Sequence, residues 1–113
     1  MVGYENVLNE KNQDKRIDIV LTDAYDDSEQ HSAFCCYLEE YMKFPFKARI
    51  RGEKSKIFTV LKFTSVEPHK VVCKVDLDGN KIRVPLTEIE PLDKKSTNSK
   101  VISDFLKFLE DFC

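Results

Sequence analysis

Six carboxylates lie along a single stretch of this 113-residue chain: Asp23, Asp26, Asp27 and Glu29, then Glu39 and Glu40. Gathered oxygen donors are what a hard cation requires, and calcium takes about 6–8 of them. Acids at a helix start also have an ordinary role, since they cap free amides and complement the helix dipole. Glu39 and Glu40 stand about 15–20 Å further along by helical rise, so one ion cannot bridge both clusters. The acids alone allow two weak sites, or one site completed by Asp76, Asp78, Glu88 or Glu90 from a later part of the chain.

Other chemistries fit less well. Asp76-Leu77-Asp78-Gly79-Asn80 invites comparison with an EF-hand loop, but Lys81 stands where that loop needs glycine and Thr87 where it needs glutamate. Asp-Gly is instead a turn dipeptide. The glycines are Gly3, Gly52 and Gly79, too few for a phosphate-cradling loop. His31 and Cys35 lie one helical turn apart and could meet Cys73 or His69, yet the paired spacing of zinc ligands is missing. No nucleophile, base and orienting group can be assembled, so no enzymatic activity is expected. Without paired cysteines or a secretory leader, free thiols and a cytoplasmic location are expected, with Cys113 the one placed to form an occasional dimer.

Charge is unevenly distributed. Residues 1–43 hold ten acids and four bases, net −6, whereas residues 44–75 hold two acids and eight bases, net +6. The basic middle, with Lys47, Arg49, Arg51, Lys54 and Lys56, could contact phosphate while Phe58 and Phe63 stack on bases. The whole chain is nevertheless acidic, at −2, and nucleic acid is not the expected partner. No apolar run approaches the ~18 residues of a membrane span.

The elements that must position these groups follow from periodicity. Residues 1–15 are polar and read as a loosely ordered segment; residues 16–113 read as one domain. Ile17, Ile19 and Val20-Leu21 suggest a short strand over Arg16–Leu21. Asp26 and Glu29 fit a capping box for a helix over about 27–43, whose face is Phe34, Tyr37, Leu38 and Tyr41. Pro45 stops it. Alternating segments at Lys47–Arg51, Ile57–Val66, Val71–Val75 and Ile82–Val84, with a hairpin turn at Asp78-Gly79-Asn80, suggest a small antiparallel barrel or tightly curled sheet over about 46–90. A last helix, about 99–112, carries Ile102, Phe105, Leu106 and Leu109 as its stripe, with Phe108 set over the barrel end. The class is α+β, with both helices covering the sheet.

Asp23-Ala24-Tyr25, Glu29-Gln30, Tyr37-Leu38-Glu39-Glu40 and Phe44-Pro45-Phe46 with Ala48 resemble the family of small calcium-binding proteins typified by cyanobacterial CcbP. Val84-Pro85-Leu86-Thr87-Glu88-Ile89-Glu90, then Asp93 and the segment Val101–Leu109, resemble the rest of that family's pattern. The likeness spans about Arg16 to Leu109. It implies an SH3-like barrel with an N-terminal helix, calcium as the bound ion and a buffering or signalling role. Acids in matching places are Asp23, Glu29, Glu39, Glu40 and Glu90, with Glu88 a weaker match.

The chain departs from the family in its near-balanced charge, its short basic segment Lys54–His69 and Ala33-Phe34 where glycine-tryptophan is usual. Weak calcium binding is therefore expected, through Asp23, Asp26, Asp27, Glu29, Glu39, Glu40 and Glu90. The alternative is a non-enzymatic protein-interaction module that keeps the scaffold, has lost the ion and meets an unknown partner on its basic face. Either form is expected to be a monomer or weak dimer.

Overall fold

The structure, a computed structural model, describes residues 10–22, 24–52, 56–67 and 70–112. Asn12 begins the first helix, α1 (Gln13–Val20), by accepting a hydrogen bond from the Lys15 amide through Oδ1 at 3.2 Å. This segment corrects the expected strand over Arg16–Leu21. A strand would put Ile17 and Ile19 on one side; the helix instead buries Ile17 and Val20, 8% and 3% exposed, and leaves Ile19 at 36%. Three-residue spacing wins because α1 has helical neighbours, α2 and α3, to bury a stripe against. Gln13 to Lys15, expected to be loose, form its first turn.

The second helix, α2 (Asp27–Tyr41), starts at its N-cap Asp26, whose Oδ1 accepts from the Glu29 amide at 2.8 Å. Phe34, Tyr37 and Leu38 are fully buried, as the apolar spacing predicts. The helix ends two residues before Lys43, because Met42 already has extended backbone. The Phe44–Pro45 peptide is cis. Asn98 holds this exit: its Oδ1 accepts from the Lys43 amide and its Nδ2 donates to the Lys43 carbonyl, both at 2.8 Å.

Five strands follow: β1 (Phe46–Ile50), β2 (Ile57–Glu67), β3 (Lys70–Leu77), β4 (Asn80–Pro85) and β5 (Ile89–Pro91). Neighbours pair antiparallel in the order β4-β3-β2-β1-β5. The Asp78-Gly79 turn has φ of 53° and 88°, the left-handed pair that a two-residue hairpin demands. A single 3-10 turn, Leu86–Glu88, carries the chain from β4 back to the free edge of β1. Among the described residues no ladder joins β4 to β5, so the sheet is open; of the expected small antiparallel barrel or tightly curled sheet, a closed barrel is not formed. Its inner face buries Ala48, Phe58, Val60, Val71, Cys73, Val75, Val84 and Ile89.

The third helix, α3 (Thr97–Phe112), begins where the Ser96 hydroxyl accepts from the Ser99 amide at 3.1 Å. Its buried face is Val101, Ile102, Phe105 and Phe108, while Leu106 and Leu109 are only half-buried. The stripe is thus rotated from the expected one. Phe108 is buried, and its ring stacks on Phe34 of α2, with centroids 4.3 Å apart.

Candidate metal site

The acidic turn before α2 is built by short-range bonds. The Ala24 amide donates to the Leu21 carbonyl at 3.0 Å, closing a turn after α1. Asp26 spends Oδ1 on the Glu29 amide and makes no other side-chain bond among the described residues. Asp26 and Glu29 are both exposed. Asp23 and the side chain of Asp27 lie outside the described residues, so those two expectations are not placed.

Gln30 adds a donor that the sequence reading did not select. Its Nε2 reaches back toward the Ala24 carbonyl at 3.5 Å, folding the amide over the turn. Its Oε1 is shielded from solvent and accepts no hydrogen bond among the described residues. A buried amide oxygen left without a partner costs about 1–3 kcal/mol. A cation recovers that cost by taking the oxygen as a ligand, and amide oxygens are ordinary calcium ligands. Gln30 belongs to the first turn of α2, where its backbone amide donates to the carbonyl of the N-cap Asp26 at 2.9 Å.

The other expected donors do not join this turn. Glu39 and Glu40 are exposed at the far end of α2, whose last turn carries no base to match the dipole. Glu90 sits in a cleft of about 230 Å³ beside Arg51 and Lys94, 3.9 Å from the Arg51 Nη1. Those two cations oppose a third positive charge there. Asp76 is committed to the Gly79 amide at 2.9 Å and Lys81 at 3.2 Å, and Asp78 pairs with Lys56 at 3.6 Å. Among the described residues no three His, Cys, Asp or Glu side chains converge as a metal site.

The zinc arrangement also lacks an accessible ligand set. His31 is buried edge-on against Phe108 at 5.0 Å, and Cys35 and Cys73 are buried. Burial pushes the Cys35 thiol up to about 11 and the Cys73 thiol up to about 12, so neither is a thiolate near neutrality. His69 and Cys113 lie outside the described residues.

Asp104 is the carboxylate the sequence reading missed. It is wholly buried. Oδ2 accepts from Arg16 Nε and Tyr37 Oη, both at 2.8 Å; Oδ1 accepts from Arg16 Nη2 at 2.9 Å and Gln13 Nε2 at 3.2 Å. Arg16 also donates to the Glu10 carbonyl at 2.7 Å. The bond to Asp104 raises the Arg16 guanidinium further above neutrality, and burial, then Asp104, pushes the Tyr37 hydroxyl well up. This cluster ties α1, α2 and α3 together and has no lone pair left for a metal. One signal was available: an acid at the centre of the stripe Val101, Phe105, Phe108.

None of the curated proteins is significantly similar in sequence. Two solved structures share the fold. A crystal structure of CcbP from Anabaena is 23% identical, with a TM-score of 0.71 over 88% of this chain and 90% of that one. A calcium-binding protein in its calcium-binding form is 21% identical, with a TM-score of 0.72 over 94% and 95%. The profile of a calcium-binding family, that of CcbP, matches residues 15–109, from α1 through most of α3. The chain therefore belongs to the CcbP family of calcium-binding proteins.

Proposed function

We propose that this chain binds calcium weakly at the turn opening α2, within the single domain 16–113. Asp23, Asp26, Asp27 and Glu29 supply carboxylates, and Gln30 Oε1 supplies a neutral oxygen. The observation that carries this assignment is the shielded Gln30 oxygen, unsatisfied among the described residues in the first turn of a helix whose sequence start is rich in acids. Glu39 and Glu40 form a second, more exposed contact at the other end of the helix. Glu90 contributes least, given its cationic neighbours.

Weak affinity follows from the donor arrangement. Side chains not held together before the ion arrives must be ordered as it binds, and that entropy subtracts from affinity. Neutralising the turn removes repulsion within the acidic N-terminal part and tightens α2 against the sheet. The role is buffering or signalling without catalysis, in the cytoplasm, on a sheet whose order and 3-10 return support an open SH3-like reading. No described helix is long and apolar enough to cross a membrane.

Titration calorimetry with calcium and with magnesium at physiological salt tests the proposal. Calcium heat is expected to saturate between about 10⁻⁶ and 10⁻³ M. Asp26→Asn weakens it about tenfold, and Glu39→Gln weakens it less. Silence toward both ions, or a calcium response indifferent to Asp26→Asn, overturns the assignment of this turn.

A further inference from the structure

The sheet's outer face is organised in cross-strand rows. The β1–β5 and β1–β2 pairings place Glu90, Arg49 and Ile57 side by side. The next row is Lys47, Thr59, Asp76 and Lys81. At the far end of the β2–β3 hairpin Glu67 faces Lys70. Each of these rows mixes acid with base.

One row does not. Lys62, Lys74 and Arg83 stand directly opposite one another on β2, β3 and β4. A bulge at Leu61 sets this register: Val60 faces Val75, and Lys62 then faces Lys74. Without the extra residue, Leu61 would occupy the outward place. Like charges directly opposite on neighbouring strands destabilise a sheet. Lys62, Lys74 and Arg83 also make no ion pair or side-chain hydrogen bond among the described residues.

The protective use of charge on sheet edges accounts for Arg83, since β4 is an edge strand. It does not account for Lys62 or Lys74, which lie on interior strands. An unpaired row of cations costs stability in the free protein and gains it back when an anion lies across it.

We propose that the Lys62–Lys74–Arg83 row is a docking surface for a short carboxylate-rich segment of a partner protein. Strands about 4.8 Å apart make the row about 10 Å long. That length matches two or three carboxylates on a helical turn, which repeat at about 5–6 Å. On one side the next row holds Asp76 paired with Lys81, and Lys47 bonded to Thr59; on the other, beyond the uncharged Ser65, Val72 and Pro85, Glu67 faces Lys70. Such a short patch gives a phosphate backbone no continuous track. Nor is there a stacking platform, because Phe58 is buried and Phe63 is half-buried against Phe44 at 5.0 Å. Charge complementarity with a compact acidic segment is what remains.

Fluorescence anisotropy on the full chain with a labelled hexaglutamate peptide tests this, with a labelled thymidine hexanucleotide as competitor class. The peptide is expected to bind at low ionic strength and to weaken steeply between about 20 and about 200 mM salt. The triple change Lys62→Gln, Lys74→Gln, Arg83→Gln weakens binding by at least about tenfold. Arg49→Gln, in an acid-containing row, changes it by less than about twofold. Removing opposed like charges leaves the melting temperature of the triple variant unchanged or raised, and Lys74→Gln alone gives a second reading with minimal disturbance. Absence of peptide binding, binding equal in the triple variant, or tighter binding of the oligonucleotide than of the peptide overturns the proposal. The result does not depend on calcium, since EDTA is present throughout.

Discussion

Asp104 and Asp26 are both aspartates belonging to helices, and they are opposites. Asp104 is buried on α3 and receives four hydrogen bonds from Arg16, Tyr37 and Gln13. Asp26 is exposed at the start of α2 and receives one, from the Glu29 amide. A carboxylate whose lone pairs are filled by protein donors is a structural part. One with spare lone pairs, at a helix start whose first turn also holds an unsatisfied amide oxygen, is available to an ion. Local bond counts, more than local charge density, separate the two.

The largest expected effect is at the filled site. Asp104→Asn leaves the Arg16 guanidinium buried without its counter-charge, which costs about 3–5 kcal/mol. Urea unfolding measures this, and calcium affinity of the folded fraction stays the same. The paired change Arg16→Met with Asp104→Leu recovers much of the loss, because no lone charge is then stranded. A cost below about 1 kcal/mol for Asp104→Asn would break the contrast at its strongest point.

Alkaline pH probes the same buried side of the contrast. Cys73 is wholly buried and its thiol is raised from 9.0 to about 12; Cys35 rises to about 11 and Tyr37 moves up from 10.0. These groups therefore hold protons in the folded state that the unfolded chain has already released. Their stabilising contribution is complete below pH 9, and that of Cys73 is lost progressively until about pH 12. Each such group removes up to about 1.4 kcal/mol per pH unit while only the unfolded form is ionised. Denaturant midpoints across this range should fall steadily, and Cys73→Val should flatten the fall without altering the neutral plateau by more than about 1 kcal/mol.

The sheet and α2 were readable because their patterns are local. Val71, Cys73 and Val75 alternate, Asp-Gly marks the hairpin, and Phe34, Tyr37 and Leu38 repeat at helical spacing. What was not readable depends on distant partners. Arg16 to Val20 reads as a strand only if the three-helix layer is unknown; once α3 presents Asp104, Arg16 must face it, and a helix turns Ile17 and Val20 inward with it. The same pairing rotates the stripe of α3. At the candidate site, four acids were visible in the sequence, but the stranded Gln30 oxygen was not, since only folded coordinates show which acceptors go unmet. Glu90 looked equivalent to the other acids until Arg51 and Lys94 were found beside it.

Asn98 is a smaller version of the filled site. Both polar ends of its amide are used on the Lys43 backbone. Asn98→Ala is expected to cost about 1–3 kcal/mol, because two half-buried hydrogen bonds, each contributing about 0.5–1.5 kcal/mol, are lost at once. Thermal unfolding reads the loss. The calcium contact at the opening turn of α2 should be unmoved, since that turn lies at the other end of the helix; any change is confined to the weaker contact at Glu39 and Glu40.

The smallest stability effect, and the sharpest division, comes from Gln30→Met. Methionine fills nearly the same volume and carries no oxygen to strand. In the absence of calcium the variant is expected to gain up to about 1 kcal/mol, because an unmet buried acceptor has been removed. If Gln30 Oε1 serves the ion, the rise in melting temperature that saturating calcium gives the native chain shrinks in the variant, and calcium affinity falls about three- to tenfold. If the oxygen is merely an uncompensated defect, the gain appears and the calcium-dependent rise is unchanged. The gain in stability without calcium is thus largely cancelled when calcium saturates the protein under one account and kept in full under the other. Only the first keeps Asp26 and Asp104 in separate classes, with the metal supplying at the start of α2 what Arg16, Tyr37 and Gln13 already supply on α3.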